Sequence, residues 1–378
     1  MSERTGRSIP LFKVYWDEDD VQAVESVIKR GMHWAAGPEI DEFESKTASF
    51  LGRKHCVAVN SGTSALHAAL LAHGVGSRDE VIVPSFTFIA TANAALFVGA
   101  KPVFADIEEK YYGLSPSDVE NRITEKTKAI IPVHVGGSSC LIDELKEIAD
   151  RHNVALIEDA AESFGATFKN KKVGSFGDSA IFSFCATKVI TTGEGGAVVT
   201  DSDEVVEKLR LAISHGREGK NYFSTSKYLD YVSLGYNFRM SSMTAALGIS
   251  QLKKIGKLIE MRRKNAEYMN KGLDGVDGVE PLAIPPEISS VYQMYTIKTN
   301  NKNTRDRLME HLVKNGITAK VYFYPVHLTA FYRQQGHAEG ELPVTERVSG
   351  QVLTLPMYPS LSREEMDFII ENIKTFFR

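Results

Sequence analysis

The chain has 378 residues, 43% of them apolar and 24% charged, with a formal net charge of −4. That length exceeds one ordinary domain, that composition is globular, and the mild acidity gives no electrostatic reason to bind nucleic acid or membranes. Residues 1–8 lack the apolar core of a secretory signal, and no apolar run approaches the roughly 18–20 residues that span a bilayer. Cys56, Cys140 and Cys185 are odd in number and widely spaced, which fits neither a disulfide framework nor a zinc site. A cytoplasmic protein with free thiols and no metal is predicted.

In chain order, the first predicted element is a helix near 18–30. From about residue 55, short apolar strands alternate with amphipathic helices. Strand 56–59 precedes helix 64–71, strand 81–83 precedes helix 90–96, and 102–105 is a third strand. Strand 129–135 leads to a helix around 141–152, and 154–157, 180–183 and 196–199 follow as strands. Strands this apolar, separated by helices, predict an α/β fold with a largely parallel sheet covered on both faces. A long helix over 243–270, with Leu247, Leu252, Ile255 and Leu258 on one face, predicts the connector to a second domain. The charges within 253–264 read as solvated helix faces. The division expected is 1–250 for a large domain and 251–378 for a small one. The small domain shows one strand signal at 291–298, helices near 304–315 and 363–377, and a Pro/Tyr/His-rich loop at 321–328. Which domain receives the N-terminal segment is left open.

The chemistry centres on Lys188, in Ser183-Phe-Cys-Ala-Thr-Lys188-Val-Ile-Thr-Thr-Gly-Glu-Gly-Gly196. A lysine shortly after a serine and just before a Gly-rich turn reads as one that holds pyridoxal phosphate (PLP) through a Schiff base. PLP also needs a carboxylate for its pyridine nitrogen, an anion site for its phosphate and a flat apolar face for its ring. The apolar run 154–157 ends in Glu158-Asp159, and Asp159 supplies the carboxylate at a strand's carboxyl end. Asn60-Ser-Gly-Thr-Ser64 supplies the anion site, where Gly62 admits the phosphate to the backbone and Thr63 and Ser64 open a helix. The same residues also read as an ordinary helix cap. Phe88 is the candidate flat face, although an aromatic in that place is more often core. Gly193-Glu-Gly-Gly196 fits no nucleotide-loop pattern and reads as a turn. Cys185 has nothing beside it in sequence to activate a thiol.

These residues, in this order, resemble the DegT/StrS-like sugar aminotransferases of PLP fold type I. The resemblance spans nearly the whole chain. It is carried by Gly37-Pro38 with Phe43-Glu44, Asn60–Leu66, Pro84–Thr91, Ile157-Glu-Asp-Ala-Ala161 and Gly174–Asp178. Further on it is carried by Phe182–Phe184 with Lys188, Thr191–Gly196, Gly235-Tyr-Asn-Phe-Arg-Met240, Ala245–Gly248 with Gln251-Leu252, and Leu355–Met357. It implies a large domain with a mixed, mostly parallel seven-stranded sheet and a smaller α+β C-terminal domain. It implies that Lys188 binds PLP, Asp159 pairs with the pyridine nitrogen and Phe88 stacks on the ring. Gly62, Thr63, Ser64 and Ser183 would hold the phosphate, and Glu162 would lie near the cofactor face. Asn237 would reach the phosphate of a neighbouring subunit, making a homodimer with shared sites. For Arg239 a substrate contact and a structural ion pair both stay open. Three positions depart from the commonest pattern. Glu162 stands where many members have Gln or His, the loop after His134 lacks a usual aromatic, and Gln293 stands where His is common.

The implied reaction moves an amino group from L-glutamate to a nucleotide-linked keto sugar, best matched by a 4-keto-6-deoxyhexose. Pyridoxamine phosphate would form between the two half-reactions. The alternatives are a sugar dehydratase or deoxygenase of the same fold, an aminotransferase of a cyclitol ketone, and a non-enzymatic regulator. Some dehydratases of this type replace the lysine with histidine, and a regulator would have lost the lysine, the aspartate or the phosphate site.

Overall fold

The computed structural model describes residues 8–219, 225 and 228–378. Nine strands come first in the chain: β1 (His55–Val59), β2 (Glu80–Pro84), β3 (Lys101–Ala105), β4 (Thr127–Ile130), β5 (Ala155–Asp159), β6 (Thr167–Phe168), β7 (Lys171–Lys172), β8 (Ser179–Ser183) and β9 (Gly196–Thr200). Seven of them form one sheet in the order β1-β9-β8-β5-β4-β2-β3. β9 runs antiparallel to β1 and β8, and all other pairs are parallel. This is the mixed, mostly parallel sheet that the resemblance implied.

The strands are apolar throughout because both faces are covered. Side chains alternate between faces. Val57, Val59, Ile181 and Val198 point into one cluster with the helices Gly62–Ala72, Ala90–Phe97 and Asp203–Ile213. Ala58, Ala180, Phe182, Ala197 and Val199 point into another with Phe43, Phe164, Phe184 and Leu258. Each fully buried Val or Ile contributes roughly 1.5–3 kcal/mol, so this double cover holds the strands in a fixed register. The carboxyl ends of β1, β2, β5 and β8 therefore open on one edge, where their following loops can meet.

The C-terminal part adds β10 (Val279–Pro281), β11 (Ile288–Ser289), β12 (Tyr295–Thr299) and β13 (Val352–Leu355). The order β10-β12-β13 is antiparallel throughout, while β11 pairs with β6 beside β7. With the helices Lys302–Lys314 and Arg363–Phe377, β10, β12 and β13 enclose a separate apolar cluster.

The predicted helix 243–270 is two helices, Ser242–Lys253 and Ile255–Leu273, broken at Lys254 (φ −104°, ψ 5°). Lys254 is no solvated charge: its ammonium pairs with Asp17 and, at 3.1 Å, with Asp20. Arg262, also expected on a solvated face, is buried, and its Nη1 donates to the carbonyls of Tyr292 at 3.2 Å and Met357 at 3.1 Å. Leu252, Ile255 and Leu258 do share one cluster, while Leu247 is half-buried outside it. The second helix passes from the sheet's cluster at Ile259 to the C-terminal cluster at Ala266. The N-terminal segment joins both: Ile9 bridges to Ile317, and helix Glu18–Arg30 packs on Ser242–Lys253. The predicted strands 129–135 and 291–298 are shorter than expected, at Thr127–Ile130 and Tyr295–Thr299. Among the described residues no helix is long and apolar enough to cross a membrane.

Candidate active site

β1 ends at Val59, and the helix Gly62–Ala72 begins three residues later. Its cap is Ser61, whose Oγ accepts from the Ser64 N–H at 3.0 Å and lies 2.9 Å from Ser64 Oγ. The remaining first-turn N–H groups and the positive helix end stay open to an anion. Gly62 rests directly on Ser183, the last residue of β8: a Cβ there would lie 2.9 Å from Ser183 Cβ. Gly62, Ser64 and Ser183 thus converge, with Thr63 exposed beside them. Gly62→Ala is expected to push Ser183 aside and weaken cofactor binding about tenfold, near 1.4 kcal/mol. A cofactor titration followed by absorbance checks this, and unchanged affinity would remove Gly62 from the cradle.

β5 delivers Asp159. Its Oδ2 accepts from the Thr91 hydroxyl at 2.8 Å and its Oδ1 from the Ala161 N–H at 3.2 Å. Burial raises its pKa, against the opposing pull of Thr91, Ala161 and the charge of Lys188. It forms no ion pair among the described residues. Pleating turns the neighbouring Glu158 the other way, so the two carboxylates have different work. Glu158 accepts from the N–H groups of Gly174, Phe176 and Gly177 at 2.8, 2.8 and 2.7 Å, and meets His134 Nε2 at 3.0 Å. Burial would raise the Glu158 pKa, but His134 and these N–H groups hold it down. Burial opposes charge on His134 as well, yet Cys140 and Glu158 raise its pKa to about 10. The resulting buried pair braces the strand behind Asp159. No sequence pattern assigns either residue this role; the available signal is an acidic pair at the end of a buried strand with a histidine just after the preceding one.

Lys188 lies in the turn between β8 and β9, held by the Phe184 N–H to Gly195 carbonyl bond at 2.9 Å and the Thr192 N–H to Phe184 carbonyl bond at 2.8 Å. Its side chain is 16% exposed, with Nζ 3.6 Å from Glu162 Oε1. Glu162 Oε2 accepts from the Gly136 N–H at 2.9 Å. Burial raises the Glu162 pKa and Lys188 pulls it down, but the rise wins. Gln293 Nε2 donates to the Thr187 carbonyl at 2.6 Å. A Cβ on Gly137 would lie 2.5 Å from the Gln293 backbone nitrogen. The three departures from the common pattern therefore meet around one lysine.

Phe86 is core, whereas Phe88 is 62% exposed. Phe88 sits between Thr87 and Thr91, whose hydroxyls lie 2.9 Å apart and lead to Asp159. Its uncovered ring is available to a planar ligand. The exposed Asn237 lies beside the anion loop, its carbonyl accepting from Asn60 Nδ2 at 3.3 Å. Arg239 makes no ion pair among the described residues; its Nη1 donates to Ser214 Oγ at 3.3 Å.

PLP fits this set. A buried carboxylate without an ion pair suits a protonated pyridine nitrogen, and the open helix end over Gly62 and Ser183 suits a phosphate. The matching family model, described as the DegT/DnrJ/EryC1/StrS aminotransferase family, covers residues 14–374. The chain belongs to that family. A GDP-perosamine synthase of Vibrio cholerae is 36% identical over 375 residues, covering 98% of this chain and 99% of that one. PseC of Helicobacter pylori, an aminotransferase involved in the biosynthesis of pseudoaminic acid, superposes with a TM-score of 0.92 at 31% identity, covering 98% and 99%. A structure described as a sugar aminotransferase of Streptococcus pneumoniae, in its PMP form, also gives 0.92, at 28% identity and 98% coverage of each chain, and has a PLP form too. Like its family, this chain is a PLP-dependent transaminase.

Proposed function

We propose that the enzyme transfers an amino group from L-glutamate to a nucleotide-linked keto sugar, a 4-keto-6-deoxyhexose in the first instance. The observation that carries this is the intact Lys188 amine facing Glu162 and Asp159, because transamination needs a base that dehydratases of this type can lack. The relative named for a GDP-linked product supports the nucleotide sugar. PLP supplies the electron sink and carries the amino group between half-reactions. Lys188 Nζ takes a proton from the donor's α-carbon and returns one to the acceptor's carbon. Glu162 holds that amine in place, Asp159 keeps the ring nitrogen protonated and Phe88 covers one face. Gly62, Thr63, Ser64 and Ser183 anchor the phosphate, and the exposed Asn237 extends to the phosphate of a second copy in a homodimer.

A screen of L-glutamate against UDP-, GDP- and dTDP-linked 3-keto and 4-keto sugars tests the assignment. Turnover with one nucleotide-linked 4-keto sugar is expected. Turnover only with a free cyclitol ketone would overturn it.

A further inference from the structure

Gln293 enters the site from the C-terminal part of the chain, on a turn just before β12. That turn is held to one shape. Tyr292 takes the left-handed conformation (φ 48°), which is unfavourable for a bulky residue and persists only where its surroundings fix it. Here the Tyr292 N–H donates to Ser290 Oγ at 3.0 Å, and its carbonyl accepts from Arg262 Nη1 at 3.2 Å. Gly137 presses so close that a Cβ there would lie 2.9 Å from the Tyr292 backbone nitrogen.

Hydrogen bonds join this turn to the one at Gly136-Gly137. The Met294 N–H donates to the Gly136 carbonyl at 3.1 Å, and the Val291 N–H to the Gly137 carbonyl at 2.8 Å. Ser290 Oγ donates to the same Gly137 carbonyl at 2.9 Å. Gly136 gives its own N–H to Glu162 Oε2, while Glu162 Oε1 lies 3.6 Å from Lys188 Nζ. The Gln293 side chain closes the circuit, because Nε2 donates at 2.6 Å to the carbonyl of Thr187, one residue before Lys188. Lys188 is therefore held twice, at its amine through Glu162 and at its backbone through Gln293, and both holds refer to one glycine turn.

The direction of the Gln293 amide follows from chemistry: a carbonyl only accepts, so the nitrogen faces Thr187. The other end, Oε1, is buried with no hydrogen-bond partner among the described residues. An unpaired buried acceptor lowers stability. Stability alone does not explain a glutamine here; the bond to Thr187 does.

We propose that Gln293 is a positioning residue, which sets the place of the Lys188 amine by holding Thr187 from the C-terminal part of the chain. Its action runs through the lysine turn and not through a contact with substrate. That Lys188 is the base rests on the function proposed above; that Gln293 fixes its turn does not.

Gln293→Met removes the donor at similar length, whereas Gln293→His keeps a ring N–H for the same carbonyl. In cofactor-free protein, hydrogen exchange on peptides covering 184–192 reports the turn. Gln293→Met is expected to exchange there at least about fivefold faster than wild type and Gln293→His within about twofold. Melting temperatures should stay within about 3 °C of wild type. In cofactor-loaded protein, the half-reaction with L-glutamate is followed by absorbance in a single turnover, which needs no sugar acceptor. Gln293→Met should lower its saturated rate by about 10- to 100-fold and change the half-saturating concentration by less than about threefold. Deuterium at the α-carbon of glutamate should slow Gln293→Met more than wild type, because a misplaced amine makes proton transfer the slow step. Gln293→His should return to within about fivefold of the wild-type rate. Exchange and rate both at wild-type values in Gln293→Met would overturn the proposal. So would a raised half-saturating concentration at an unchanged saturated rate, which marks a substrate contact. A melting temperature lowered by more than about 10 °C, with no rescue by Gln293→His, would reduce Gln293 to a structural role. If wild type does not respond to L-glutamate, the donor proposed above falls, and the exchange experiment still decides whether Gln293 fixes the lysine turn.

Discussion

Lys188→Ala is expected to abolish covalent cofactor attachment and to lower turnover by at least about 10⁴-fold, since one side chain serves as both anchor and base. Purified wild type should show a visible absorbance that borohydride fixes to the protein, and the variant should not. Equal absorbance and equal borohydride response would place the attachment elsewhere. A second effect follows from the charges. Lys188 lowers the pKa of both Asp159 and Glu162, whose values burial has already raised. Without the ammonium both rise further. A carboxyl whose folded-state pKa is raised destabilises the fold as pH climbs from the unfolded value through the folded one. The variant without cofactor should therefore lose more stability relative to wild type at about pH 8 than at about pH 5, read by thermal melting. A constant difference would show that the lysine does not neutralise this pair.

Much of the large domain was legible because buried parallel strands are continuous apolar runs, as in Val81–Val83 and Ala180–Ser183. What escaped were elements whose pattern is mixed. Helix Pro38–Leu51 carries Pro at its start and ends on the left-handed Gly52, but its buried face includes Glu44 and Thr47, which blurs the apolar stripe. Helix Asp203–Ile213 and strand Val352–Leu355 were likewise not anticipated. The break at Lys254 carries no proline, and Gly256 two residues on is only a weak signal for it. Lys254 there makes a tertiary contact, the ion pairs with Asp17 and Asp20, which local sequence cannot show.

At the site, the residues were legible and their distances were not. Gly62 was expected to serve by letting the backbone approach a phosphate, and the structure adds that its missing Cβ makes room for Ser183. Phe88 had two readings, and its exposure removes the core one. Arg239 forms no ion pair among the described residues, and its Nη1 donates to Ser214 Oγ at 3.3 Å, a contact the sequence could not show. Glu162, Gln293 and the loop after His134 looked like three unrelated departures. Only the fold brings them together: Glu162 and the loop after His134 follow neighbouring strands of the large sheet, and Gln293 comes from the segment before β12 in the other sheet.

Asp159→Asn is expected to leave cofactor bound and to lower kcat by about 10³-fold or more, near 4 kcal/mol of barrier. The amide is nearly isosteric and can still accept from Thr91, so the phosphate cradle and Lys188 should stay in place. What it cannot do is hold a proton on the ring nitrogen, because it carries no charge. The two proteins should also respond differently to pH. In cofactor-free wild type the raised carboxyl pKa makes an ionised Asp159 a cost above the ordinary carboxylate range. Cofactor binding supplies the missing cation, so the gain in melting temperature on binding should grow as pH rises through that raised pKa. The asparagine variant has no such titration, and its gain should stay flat through the same interval. A kcat within tenfold of wild type, or the same pH-dependent gain in both proteins, would mean that the ring nitrogen finds its partner in some group other than Asp159.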